Sequence, residues 1–198
     1  MSNLRPRKAL SIAGAVTSAL LIGACGNANE RVTKGTYAGE GGVPAPYLDL
    51  GQLAYEVQIS RELNPAETED AAYLAGLSPA QAAVAPGEEW FAVFIQVYNS
   101  SGQAHAAATD ITIGDTQGNV YSPIAPAPTA NNLFVYRGGD VPAHSQIPAT
   151  GTIAALSPTQ GAVLLYKIKD ESLSNRPINI KIVNPSDPAQ SATAELDV

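Results

Sequence analysis

Trp90-Phe91-Ala92-Val93-Phe94-Ile95-Gln96-Val97-Tyr98 is apolar at every position except Gln96. Successive side chains of a strand point to opposite faces, so both faces of this segment are apolar. Such a strand belongs in the middle of a sheet and is covered on both sides. Gln96 interrupts the even set, which assigns Phe91, Val93, Ile95 and Val97 to the core.

Outward from this segment the alternation recurs. Leu53, Tyr55, Val57 and Ile59 are apolar, with Glu56 and Gln58 between them. Ile111 and Ile113 form a short strand, and Asp115-Thr116-Gln117-Gly118-Asn119 is turn chemistry leading into Val120-Tyr121. Leu164, Tyr166 and Ile168 face in, while Lys167 and Lys169 face water. Ile178, Ile180 and Ile182 alternate with Asn179 and Lys181. Ala192 to Leu196 supplies a last strand, and Thr152 to Leu156 a weaker one. Short strands at this spacing, without a βαβ rhythm, predict an antiparallel sandwich or barrel. The predicted core is Leu53, Tyr55, Val57, Phe91, Val93, Ile95, Val97, Leu164, Tyr166, Ile178, Ile180 and Ile182.

Two insertions interrupt the strands. Asn64-Pro65-Ala66-Glu67 and Ser78-Pro79-Ala80-Gln81 each carry an N-cap residue, a proline at the first helical position and Glu or Gln at the third. The spacing predicts short helices between residues 64 and 87. Tyr73, Leu74 and Leu77 would pack on an end or edge of the sandwich, and Glu67, Glu69 and Asp70 would face solvent. The second insertion, Ser122 to Thr150, holds Pro123, Pro126, Pro128, Pro142 and Pro148 around the apolar island Leu133-Phe134-Val135-Tyr136. It reads as a long loop with one edge strand at most.

The N-terminus is an address. Arg5, Arg7 and Lys8 precede an uncharged run from Ala9 to Ile22. As a helix this run would reach about 21 Å, short of the ~30 Å hydrocarbon core, so it is a signal-peptide h-region. It closes on Leu21-Ile22-Gly23-Ala24-Cys25, which resembles the lipobox of bacterial lipoproteins. In that family the peptide is cut before the Cys, and the Cys carries the lipid. The resemblance implies that Cys25, the chain's one Cys, is acylated. Residues 1–24 are then the signal peptide, 25–50 a Gly- and Pro-rich tether, and 51–198 the domain. The expected location is the extracytoplasmic face of the cell membrane. Three of the 11 bases leave with the signal peptide. Eight remain against 18 acids, a net charge of −10. Such a chain is repelled by phosphate backbones, so no nucleic-acid partner is expected. The lipid, rather than a basic patch, would hold the membrane.

Residues Trp90 to Ser100, Ile111 to Tyr121 and Gly161 to Ile168 resemble the immunoglobulin-like domain of small bacterial lipoproteins of unknown function. The resemblance implies an all-β, immunoglobulin-like antiparallel β-sandwich with a short helical insertion. It carries no catalytic residues.

Candidate sites are sparse. His105 and His144 read as loop residues, and a zinc site would need further ligands. Ser145 beside His144 lies in no Gly-x-Ser-x-Gly elbow. Glu67, Glu69 and Asp70 form the densest acidic cluster. They suit a helix start and alternatively a cation or cationic partner. Asp115 to Asn119 reads as a hairpin turn, with a calcium loop as the alternative. Trp90 and Tyr98 are strand cover or a ligand platform. Leu133, Phe134 and Tyr136 are a partner surface if exposed and structural if they pair with the sheet edge. The expected function is non-enzymatic: binding or scaffolding at the envelope, without a cofactor, toward an envelope protein partner. The rival is an envelope hydrolase or metal-dependent enzyme on a β scaffold.

Overall fold

The computed structural model describes residues 30–33 and 47–196. In chain order its strands are β1 (Glu30–Thr33), β2 (Tyr47–Leu50), β3 (Leu53–Leu63), β4 (Glu88–Asn99), β5 (His105–Ala107), β6 (Ile111–Gly114), β7 (Val120–Tyr121), β8 (Gly139–Val141), β9 (Ser145–Ile147), β10 (Ala162–Lys169), β11 (Ile178–Val183) and β12 (Ser191–Leu196). One sheet has the order β1-β12-β11-β6-β7. The other runs β10-β4-β3-β2, with β9 also paired to β4, and β5 and β8 form a separate ribbon. The pairings are antiparallel except that of β1 with β12. This is an all-β antiparallel sandwich with a short helical insertion.

The main core lies between the sheets and contains all twelve predicted core residues. β4 is central in its sheet, between β10 and β3. Its odd residues fill the main core, and Trp90, Ala92 and Phe94 fill a second apolar layer on the outer face. A bulge between Val57 and Ile59 changes the parity of β3. Before it Leu53, Tyr55 and Val57 point into the main core; after it Ile59 and Leu63 join the outer layer. An extra residue on one strand produces this switch, so Ile59 does not share the face of Val57. Gly161 lets β10 run close beside β4, because a Cβ there would lie 2.9 Å from the Ile95 backbone nitrogen.

The first insertion covers the outer layer instead of packing on an end or edge. Helix α1 (Thr68–Tyr73) buries Tyr73 edge-to-face on Phe94, with ring centroids 4.9 Å apart. Leu74 and Leu77 pack beside it. The first start signal is displaced. Asn64 Oδ1 accepts from the Ala66 N–H at 3.0 Å and closes a turn, and α1 begins four residues later with no side-chain cap. The second signal forms as read. In α2 (Pro79–Ala82) Ser78 and Gln81 make both bonds of a capping box. Residues Thr152 to Leu156 are not a strand. Thr152 caps the single turn α3 (Ile153–Leu156), its Oγ1 accepting from the Ala155 N–H.

The signal peptide, Cys25 and most of the predicted tether lie outside the described residues. Within 25–50, however, Glu30–Thr33 is a strand on the sheet edge and Tyr47–Leu50 pairs with β3. The sandwich therefore begins before residue 51.

Candidate functional site: a cavity on the edge of β10

β10 is the outermost strand of its sheet, and its free edge is covered by the Pro-rich insertion. The Ile124 N–H donates to the Leu165 carbonyl at 2.7 Å. The Val163 N–H donates to the Phe134 carbonyl, and the Tyr136 N–H donates to the Val163 carbonyl, both at 2.8 Å. Two stretches of the insertion thus cross the same edge, antiparallel at Ile124 and parallel at Val135. Covering an edge this way satisfies backbone groups that would otherwise template aggregation.

Between the two crossings lies an open cavity of about 230 Å³. Its apolar wall includes Ile124, Val135, Val163 and Leu165, and Thr109 and Arg137 are its polar margin. Arg137 is exposed, and its guanidinium donates to the Pro126 carbonyl at 3.1 Å and the Ala127 carbonyl at 3.3 Å. No carboxylate pairs with it among the described residues. A guanidinium keeps its charge throughout the accessible pH range and offers five donors in a planar fork. Two backbone acceptors leave further guanidinium donors unused by the described hydrogen bonds. Beyond Arg137 a shallow depression runs over Gln81, Ala125, Pro126 and Pro128.

The predicted partner surface is therefore divided. Leu133 is 62% exposed. Phe134 is half-buried against Tyr73, with centroids 5.0 Å apart, and Tyr136 is buried in the main core. The island takes the structural alternative, because its backbone completes the β10 edge and its rings fill both apolar layers. What remains is a cavity beside it.

The acidic cluster is also divided. Glu67 and Glu69 are exposed, and Glu69 accepts from the Tyr73 hydroxyl at 2.8 Å. Asp70 does not face solvent; it is buried and paired with both terminal nitrogens of Arg61. It also accepts from the Asn64 N–H at 2.7 Å. The Arg61 guanidinium, outweighing burial, holds the Asp70 carboxyl below its ordinary value. Asp70 thereby ties the entry of the insertion to β3.

The Asp115 to Asn119 turn forms as a hairpin connection. Asp115 accepts from the Gln117 and Asn119 N–H groups, the Asn119 amide and the Ser172 hydroxyl. Burial opposes its ionisation, but these bonds, led by the Asn119 and Ser172 side chains, pull its pKa far down. Trp90 is buried under Lys167, and half-buried Tyr98 meets Tyr47 edge-to-face at 5.7 Å. His105 lies half-buried in β5, not in a loop, and His144 takes an exposed turn position with φ of 53°. No group of three His, Cys, Asp or Glu converges as metal ligands among the described residues.

Arg137 is the residue that sequence reading missed. Its only signal is position, the one base between Tyr121 and Gln160, immediately after the apolar island.

No family model matches the chain, and no curated protein matches it. Solved structures do. The yjhA protein from Bacillus subtilis aligns with a TM-score of 0.51 at 11% identity, over 77% of this chain and 97% of that one. The ycdA protein of Bacillus subtilis, a candidate lipoprotein, aligns at 0.48 and 10% identity over 76% of this chain. The match spans 38% of the ycdA chain. An uncharacterised β-sandwich protein from Clostridium difficile aligns at 0.41 and 10% identity, over 78% of this chain and 92% of that one. The likeness to yjhA speaks for the fold, and for the fold alone.

Proposed function

We propose that this chain is a lipid-anchored, extracytoplasmic binding protein of the bacterial envelope, and that the cavity on the β10 edge takes a small anionic amphiphile. In the same reading, the sandwich belongs with the immunoglobulin-like lipoprotein domains that its strands resemble. The anchoring rests on the order Ile22-Gly23-Ala24-Cys25 behind a short h-region. The binding rests on one observation: Arg137, unpaired by any described carboxylate, lines a mostly apolar cavity.

That pairing of chemistries selects a ligand class. The apolar wall favours hydrocarbon, gaining roughly 25 cal/mol per Å² buried. The guanidinium favours a carboxylate or phosphate oxygen at the rim. The cavity holds only about 230 Å³, so the buried part of the ligand is short. Octanoate is a suitable probe, with octylamine as its charge-reversed control. Octanoate should raise the melting temperature in a concentration-dependent way and octylamine should not. Equal shifts, or none, would remove the ligand reading. Anchoring has its own test. Cys25→Ala should move the protein from the detergent phase to the aqueous phase on Triton partitioning, and unchanged partitioning would remove it.

A further inference from the structure

We infer that the pairing of β1 with β12 docks one end of the sandwich against the bilayer and turns the helical insertion away from it. This rests on the reading that Cys25 carries the lipid. The register places Glu30 beside Ser191, so the chain enters the sheet at the start of β12. Five Cα–Cα steps separate Cys25 from Glu30, and at ~3.5 Å per residue they span at most about 18 Å. Had the chain first joined the sandwich at Tyr47, 22 steps would allow up to about 75 Å. The difference decides whether the domain stands on the membrane or drifts above it.

The docked end can be named. Val183 pairs with Ser191, so the connecting loop from Asn184 to Gln190 lies there. The Val183 N–H donates to the Asp110 carbonyl at 3.0 Å. A Cβ on Gly51 would lie 3.0 Å from the Asn184 amide nitrogen, which puts the β2–β3 turn at the same end. β3 leaves this turn and runs eleven residues to Leu63, about 36 Å at ~3.3 Å per residue. The insertion leaves β3 at this far end, carrying exposed Glu67 and Glu69 in its first turns before Tyr73 reaches back over the outer layer. The Asp115 to Asn119 turn is also distal, since Gly114 pairs with Asn179 at the opposite end of β11 from Val183. The docked loop carries Asp187 and no Lys or Arg. Its contact with the bilayer is therefore imposed by the short leash and does not depend on anionic lipid.

The test uses the acylated full-length protein on phosphatidylcholine vesicles containing a headgroup-linked acceptor dye. Acylation occupies the thiol of Cys25, so Ser186→Cys and Gln117→Cys each offer one labelling site for a donor. Energy transfer from position 186 should be at least twice that from position 117, with the same ratio when anionic lipid is added. Replacing Glu30–Thr33 by Gly-Ser-Gly-Ser should bring the ratio close to one. Equal transfer from both sites on vesicle-bound protein would overturn the docking while leaving the anchor intact. A ratio that survives the Gly-Ser replacement would overturn the role of β1. Failure of the wild-type protein to float with the vesicles would overturn the anchor and the docking with it.

Discussion

Tyr55 and Tyr136 hold the two backbone polar groups of a single residue, Ala108. The Ala108 N–H donates to the Tyr55 hydroxyl oxygen, and the Tyr136 hydroxyl donates to the Ala108 carbonyl, both at 2.7 Å. Ala108 lies in the main core, off any strand, where unpaired backbone groups are costly. Burial pushes both phenols above their ordinary pKa; it outweighs the Ala108 bond at Tyr55 and is reinforced by Tyr55 at Tyr136. Tyr136→Phe should therefore cost about 1–3 kcal/mol, the desolvation penalty of an orphaned carbonyl. Tyr166 is the counter-case, since its buried hydroxyl has no partner among the described residues. Tyr166→Phe should be neutral or stabilising by up to about 1 kcal/mol. Urea midpoints of the two variants should move apart, and equal losses would contradict the assignment.

Acid should weaken the fold through two carboxylates. Asp70 is depressed by Arg61, and Asp115 by hydrogen bonds from Asn119, Ser172 and the turn backbone, in each case against burial. A folded-state pKa below the unfolded one adds stability that is fully present above the unfolded value. That stability drains as pH falls through the ordinary carboxylate range toward the depressed value. The urea midpoint should hold between about pH 7 and 5 and fall below about pH 4. Asp115→Asn should flatten the acid limb of that curve. Parallel curves for wild type and variant would show that Asp115 does not contribute.

The helical insertion should act as part of the fold. Tyr73 covers Phe94 on one side and meets Phe134 on the other. Tyr73→Ala should cost roughly 3–5 kcal/mol and open the outer layer to a hydrophobic dye. Glu67→Ala, on an exposed residue whose side chain makes no cap bond, should stay within about 0.5 kcal/mol. A small effect at Tyr73 would return the insertion to the status of an appended surface.

Strand alternation was enough to place the main core, because a period of two assigns each side chain to a face before any partner is known. Local rules failed where a distant group decided the outcome. Asp70 resembles Glu67 and Glu69 in sequence, and only the approach of Arg61 from β3 buries it. β1 lies in a stretch without periodicity, and its evidence is pairing with a strand some 160 residues away. Phe134 and Tyr136 look like a patch until β10 offers its edge. The same edge explains why the cavity was illegible: its walls come from Thr109, the Pro-rich insertion and β10, which no single window of sequence contains.

Titration calorimetry of octanoate into the wild-type protein and Arg137→Met shows whether Arg137 holds an anionic amphiphile. A charge-assisted hydrogen bond contributes about 1.5–3 kcal/mol, and 1.4 kcal/mol is tenfold in affinity. Binding to the wild-type protein should be saturable and should weaken at least tenfold in Arg137→Met. Saturable binding of equal affinity in the two proteins, or no binding to either, would contradict that role of Arg137.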